Sequence, residues 1–181
     1  MVLQDHPAST LVNMSVPLLA RLVNEIPTIA CVKLESLPTP PKIALLKTMM
    51  REDCTILTGL GALYGAYDIE AGGDGFMTGF AFPEALAAIV DAKQAGDEEL
   101  LWKIYQHWLP LMVFEQQPGV AVRKELYKQR GLIECSIPRH PAAGISPLAA
   151  GMLTRTIATT VGPTTDITKP VTDAAVIRGE F

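Results

Sequence analysis

A lone lysine, Lys33, lies near the end of the otherwise apolar, strand-like run Ile29-Ala-Cys-Val-Lys-Leu-Glu-Ser36. Withdrawing an ammonium from water without a fixed counter-charge is costly, so a lysine in this position either reaches back to solvent or sheds its proton. The free amine is a nucleophile. A lysine with a pKa of about 10.4 is only about 0.04% free amine at neutral pH, whereas a pKa near 7 to 8 makes roughly 10 to 50% available for imine formation with a ketone. Side chains alternate along a strand, which puts Cys31, Lys33 and Glu35 on one face and Ala30, Val32 and Leu34 on the other. Glu35 is then placed to shuttle a proton beside an imine at Lys33. The same two residues read equally well as an ion pair at a strand end.

Other candidate chemistry is weaker. Gly59-Leu-Gly61-Ala-Leu-Tyr-Gly65 follows a strand pattern and opens a helical one, as a dinucleotide-binding turn does, but the next strand, Gly75-Phe-Met-Thr-Gly79, lacks the acidic end that such a site wants. The glycines are better explained by a tight strand-to-helix turn. Gly72-Gly73-Asp74-Gly75 makes another tight turn. Cys31, Cys54 and Cys135 are widely spaced, with no C-x-x-C pair, and His6, His107 and His140 lack ligand spacing. Neither a disulfide framework nor a metal site is expected. Trp102, Tyr105, Trp108, Leu109, Met112 and Val113 read as packing or an oligomer surface, not a cofactor site.

Short apolar runs alternating with longer helical patterns must position Lys33. Strands are expected at Met1–Gln4, Thr28–Leu34, Cys54–Thr58 and Gly75–Thr78. Helices are expected at Ser15–Glu25, from an N-cap at Thr39 with Pro40 to about Arg51, and at Leu60–Ala71. Only helices follow: Pro83–Ala95, Asp97–Gln116, Val120–Gln129 and Ser146–Thr160. Strands separated by helices of ten or more residues imply parallel crossovers and an α/β sheet. In such sheets ligands bind at the carboxyl ends of the strands, where Lys33 and Glu35 fall. From Gly162 the composition turns to Thr, Pro and isolated charges and reads as a flexible tail over 162–181.

At 181 residues, with 49% apolar and 19% charged residues, the chain has ample material for a globular core. The net charge of -4 and the absence of a basic stretch argue against nucleic acid as a partner. No apolar run is long enough for a membrane span. Asp5 and Pro7 come too early for a cationic, apolar leader, and the odd, widely spaced cysteines make a reducing cytoplasm the expected setting.

Taken together, these segments resemble the dihydrodipicolinate synthase/N-acetylneuraminate lyase family, Schiff-base aldolases and dehydratases built on a TIM barrel. Ala30-Cys-Val-Lys33-Leu-Glu resembles the strand that carries the imine-forming lysine. Gly72-Gly-Asp-Gly-Phe-Met-Thr-Gly79 resembles the final barrel strand, with Met77 lining the pyruvate pocket, and Thr55-Ile-Leu-Thr-Gly59 resembles the strand before it. Gln4-Asp-His-Pro7-Ala-Ser-Thr10 stands in the place of a Tyr-Asn-x-Pro-x-x-Thr segment. Ile137-Pro-Arg-His-Pro141 lies between closing helices like those of the family's appended helical region.

The resemblance implies a partial barrel over 1–95, equivalent to strands five to eight, a helical region over 96–161, and the tail. It also implies a lyase acting on pyruvate or another 2-keto acid without metal or organic cofactor, assembled as a homo-oligomer. Lys33 and Glu35 are the expected catalytic pair, with Gln4, Thr58, Gly59 and Met77 lining the substrate site. Two departures bear on the substrate. Gln4 replaces a proton-relaying tyrosine, and Ser9 replaces the arginine that grips aspartate semialdehyde in the synthase. Both point away from dihydrodipicolinate synthesis and toward a related aldolase or a 2-keto-3-deoxy sugar-acid dehydratase. The resemblance places Met1 at strand five of a barrel that typically needs about 250 residues. The chain is then a fragment, one of two copies that complete each other, or one that needs a separate chain. The competing reading is a non-catalytic half-barrel that oligomerises or binds a partner.

Overall fold

A computed structural model describes residues 1–116 and 119–181 and divides into two units, Met1–Thr78 and Gly79–Phe181. In the first, β1 (Val2–Asp5), β2 (Cys31–Leu34), β3 (Thr55–Thr58) and β4 (Gly75–Phe76) form one sheet in the order β1-β2-β3-β4. Every neighbouring pair is parallel, which requires a crossover each time. Helices α1 (Pro7–Thr10) and α2 (Val16–Glu25) link β1 to β2, α3 (Thr39–Lys47) links β2 to β3, and α4 (Gly65–Glu70) links β3 to β4. Four consecutive parallel strands in sequence order make about half of a TIM barrel.

The register decides what Lys33 faces. Gln4, Lys33 and Leu57 are successive partners across β1, β2 and β3, with Gly75 beside Leu57, so these four positions share a face. The neighbouring row, Asp5, Leu34, Thr58 and Phe76, faces the other way. Helices cover that second side: Val32, Leu34 and Ile56 are fully buried with Leu19 and Val23 of α2 and Ile43 and Leu46 of α3. The apolar half of β2 thereby fixes the strand's orientation and leaves Lys33 on the opposite face.

Two local expectations change. Ser15 does cap α2, its Oγ accepting from the Leu18 amide at 3.4 Å. Thr39, however, lies inside α3, with Pro38 at the cap position. Its hydroxyl donates instead to Asp68 Oδ1 at 2.5 Å. Asp68 is buried, and two hydroxyls, Thr39 and Thr58, satisfy its carboxylate. The helix expected over Leu60–Ala71 begins only at Gly65, because Leu60, Gly61 and Ala62 have φ of 46°, 65° and 65°. An α-helix cannot accommodate three successive left-handed residues, and Leu60–Ala62 forms a separate tight turn.

The second unit is helical: α5 (Pro83–Gln94), α6 (Glu98–Glu115), α7 (Val120–Gln129), α8 (Pro147–Val161) and α9 (Ala174–Arg178). Asp97 and Ser146 cap α6 and α8 through the Leu100 and Ala149 amides. Trp108 is fully buried against Phe80 and Phe82. Helix α5, expected within the partial barrel, belongs to this unit, so the division falls at Thr78 and not at residue 95. The flexible tail expected over 162–181 is also corrected. Val171, Val176 and Ile177 are buried, Trp108 Nε1 donates to the Ile177 carbonyl at 2.9 Å, and α9 is capped by Asp173. Three aliphatic side chains in 171–177 supply the packing that the Thr- and Pro-rich composition conceals.

Candidate active site

Lys33 sits on β2 one residue before the strand ends, and Glu35 follows the end on the same face. Lys33 Nζ lies 3.2 Å from Glu35 Oε2, with the lysine side chain 20% exposed and the glutamate 7%. The carboxylate has further donors. Gln4 Nε2 donates to Oε2 at 2.6 Å, and the Leu60 amide donates to Oε1 at 2.9 Å. The Glu35 backbone is also fixed, its amide donating to the Asp5 carbonyl at 2.9 Å. Burial by itself would raise the Glu35 pKa. The bonds from the Leu60 amide, the Gln4 amide and the Lys33 ammonium outweigh it and hold the carboxyl below its ordinary value. The group is therefore ionised at neutral pH.

Gly59 makes this approach possible. A Cβ built at Gly59 would lie 2.1 Å from Glu35 Oε1, closer than any nonbonded contact. The left-handed turn at Leu60–Ala62 then aims the Leu60 amide at the carboxylate. Strain of about 1 to 3 kcal/mol for a non-glycine residue in this region persists only where the surroundings impose it, commonly at functional sites.

The other expected site residues divide. Gln4 and Gly59 meet Glu35 directly. Met77 follows β4, its amide donating to the Thr58 carbonyl at 2.8 Å, and alternation from Gly75 assigns it the parity of Lys33. Thr58 is corrected: its side chain is on the helix-covered face, is buried and donates its hydroxyl to Asp68 Oδ2. Register parity forces this, because Lys33 pairs with Leu57. The Leu60 amide was missed by the sequence reading, since a backbone donor leaves no signature beyond the glycines around it. On the opposite face, Lys42 Nζ joins buried Asp5 to the Met14 carbonyl, at 2.6 and 2.7 Å. Lys42 had no strand pattern to single it out. Among the described residues no group of three or more His, Cys, Asp or Glu is arranged to hold a metal ion.

An amine paired with an ionised carboxylate at a strand's carboxyl end can pass its proton to that carboxylate and attack a carbonyl. A model of the dihydrodipicolinate synthetase family matches residues 1–159. The chain belongs to that family.

Among its relatives is the L-2-keto-3-deoxyarabonate dehydratase of Azospirillum brasilense, 34% identical over 151 residues, which are 81% of this chain and 48% of the relative. The crystal structure of dihydrodipicolinate synthase from Rhodopseudomonas palustris superposes with a TM-score of 0.82 at 32% identity, covering 87% of this chain and 54% of that one. Dihydrodipicolinate synthase from Thermotoga maritima, at 20% identity and a TM-score of 0.78, covers 86% and 54% and shares the fold. The chain thus spans about half the length of these family members. Gln4 stands where the resemblance implies a tyrosine, and its amide donates to the Glu35 carboxylate, a contact that carries no titratable proton. Ser9, in place of the implied arginine, lies exposed on α1. No helix is long and apolar enough to cross a membrane among the described residues.

Proposed function

We propose that this chain supplies the imine-forming half of a Schiff-base lyase acting on 2-keto acids, with Lys33 as nucleophile and Glu35 as acid/base. The Lys33–Glu35 pair, held by Gln4 and the Leu60 amide, carries the reading. Glu35 accepts a proton from the Lys33 ammonium, and the amine adds to the keto carbon. The carbinolamine loses water as Glu35 returns a proton, leaving an iminium that withdraws electrons from C3. Glu35 then removes a C3 proton to form the enamine. The enamine expels a C4 hydroxyl, which leaves as water with that proton, and hydrolysis releases the product and restores Lys33. A carboxylate of low pKa is a modest base, and Lys33 Nζ lies 3.2 Å from it, within reach for direct transfer.

The dehydratase named among the relatives favours loss of water over carbon–carbon cleavage, as does the replacement of the synthase's arginine by Ser9. Met77 and Gly59 are assigned to the pocket wall, and homo-oligomeric assembly in the cytoplasm is part of this reading. No metal or organic cofactor takes part. The outer strands β1 and β4 are open to pairing, so turnover is a property of the completed barrel, and imine formation is the step assigned to this chain.

The half-length match supports a second reading, a half-barrel that binds a partner without catalysis. Reduction with borohydride in the presence of pyruvate, followed by peptide mass mapping, separates the two. A reduced pyruvyl adduct on Lys33 is expected. A folded sample with no adduct at Lys33 favours the binding module.

A further inference from the structure

In the helical unit, α5, α6 and α9 line an open, cleft-like cavity of about 370 Å³, within the range of small-molecule clefts. It exists because α5 lines it with alanines, Ala88 and Ala92 among them, whose side chains end at Cβ and leave the space between helices unfilled. The floor is apolar, with Ala92, Ile104 and Ile177 all buried. The rim is charged. Asp91 of α5 and Arg178 of α9 both line the cavity, yet neither side chain makes a hydrogen bond or salt bridge among the described residues. The nearby Asp97 is committed, its Oδ1 accepting from the Leu100 amide at 2.9 Å. The charge of Arg178 also acts on Glu180, but that carboxylate is already paired with Lys103.

We propose that this cavity binds a small aliphatic ω-amino acid, its ammonium against Asp91, its carboxylate against Arg178 and its hydrocarbon over Ala92, Ile104 and Ile177. Opposite charges that share a cavity without meeting are both satisfied by a ligand whose own charges are separated by methylenes. A simple cation or anion satisfies only one. An apolar ligand or packed helix would cover both without compensation, which is costly. The volume equals that of roughly a dozen waters at about 30 Å³ each, room for a chain the size of 6-aminohexanoate.

Calorimetric titration of the whole chain with 6-aminohexanoate, hexylamine and hexanoate tests the assignment. Saturable binding of the zwitterion is expected, with either singly charged analogue at least tenfold weaker. Asp91→Asn and Arg178→Gln, both at exposed positions, should each lower affinity for the zwitterion about tenfold. Ala88→Leu, which fills the cavity and keeps both charges, should abolish binding. No saturable binding to the wild type, equal affinity for all three compounds, or wild-type affinity in both charge variants would overturn the proposal. None of these outcomes bears on Lys33.

Discussion

Lys33 and Glu35 depend on a third position that contributes no side chain. With Gly59 replaced by alanine, the Cβ collides with Glu35 Oε1 and drives the carboxylate away from Lys33 and the Leu60 amide. Gly59→Ala is expected to slow trapping of pyruvate on Lys33 by about the 10- to 100-fold that small misplacements of a reacting pair cost, and to lower stability by about 1 to 3 kcal/mol as overpacking does. Glu35→Gln keeps the shape and removes the carboxylate proposed as the base, and its expected loss in trapping rate is about 10²- to 10⁴-fold. The pH dependence separates a chemical from a structural role. The carboxyl is held below its ordinary value of 4.5, so its ionised form, with the stability its donors confer, is fully present above that value and is lost as pH falls through the lower folded pKa. Trapping by the wild type should fall across that acid window. The residual rate of Glu35→Gln should show no step there, and a step of equal size in the variant would assign the titration to another group.

At the level of elements, buried carboxylates tie helices to their neighbours, and their titration is measurable. Glu115, near the end of α6, is fully buried. It accepts from the Ala81 amide at 3.0 Å and from Arg123 Nε at 3.2 Å. Burial dominates these partners and pushes its pKa up to about 7 from 4.5. A raised carboxyl pKa means that the folded chain holds the proton more tightly than the unfolded chain does. Stability should therefore decline as pH rises from about 4.5 to about 7, by about 3 kcal/mol from this group. Denaturant titrations of the wild type and Glu115→Gln across that window check it: the difference between the two should carry the slope, and a pH-independent difference would contradict it. In the first unit, Asp68→Ala leaves the Thr39 and Thr58 hydroxyls without their buried acceptor and should cost about 2 to 4 kcal/mol.

For the whole molecule, the C-terminal segment is the least expected part of the packing. Removing residues 171–181 strips Val171, Val176 and Ile177 from the helical unit and uncovers the Trp108 indole, at a cost of several kcal/mol at about 1.5 to 3 for each fully buried aliphatic side chain. A lowered melting temperature with red-shifted tryptophan fluorescence is expected, and an unchanged spectrum would show that the segment does not cover Trp108. The parallel α/β architecture was legible because the apolar runs and helical periods alternate cleanly, and the Lys33 face because Val32 and Leu34 claim the other side. Thr58 was misassigned because a strand's composition gives its position but not its parity relative to a neighbour. Residues 171–181 were misread because three buried side chains are too few to shift a local composition. The grip of the Leu60 amide on Glu35 belongs to backbone geometry, which leaves no mark on residue type.

The most direct measurement is a crystal structure after exposure to pyruvate. Continuous density is expected from Lys33 Nζ to the pyruvate C2 carbon, with the Glu35 carboxylate, still held by Gln4 and the Leu60 amide, within hydrogen-bonding distance of the adduct. An unmodified Lys33 still paired with Glu35, with the adduct on another lysine or on none, would contradict imine formation at Lys33.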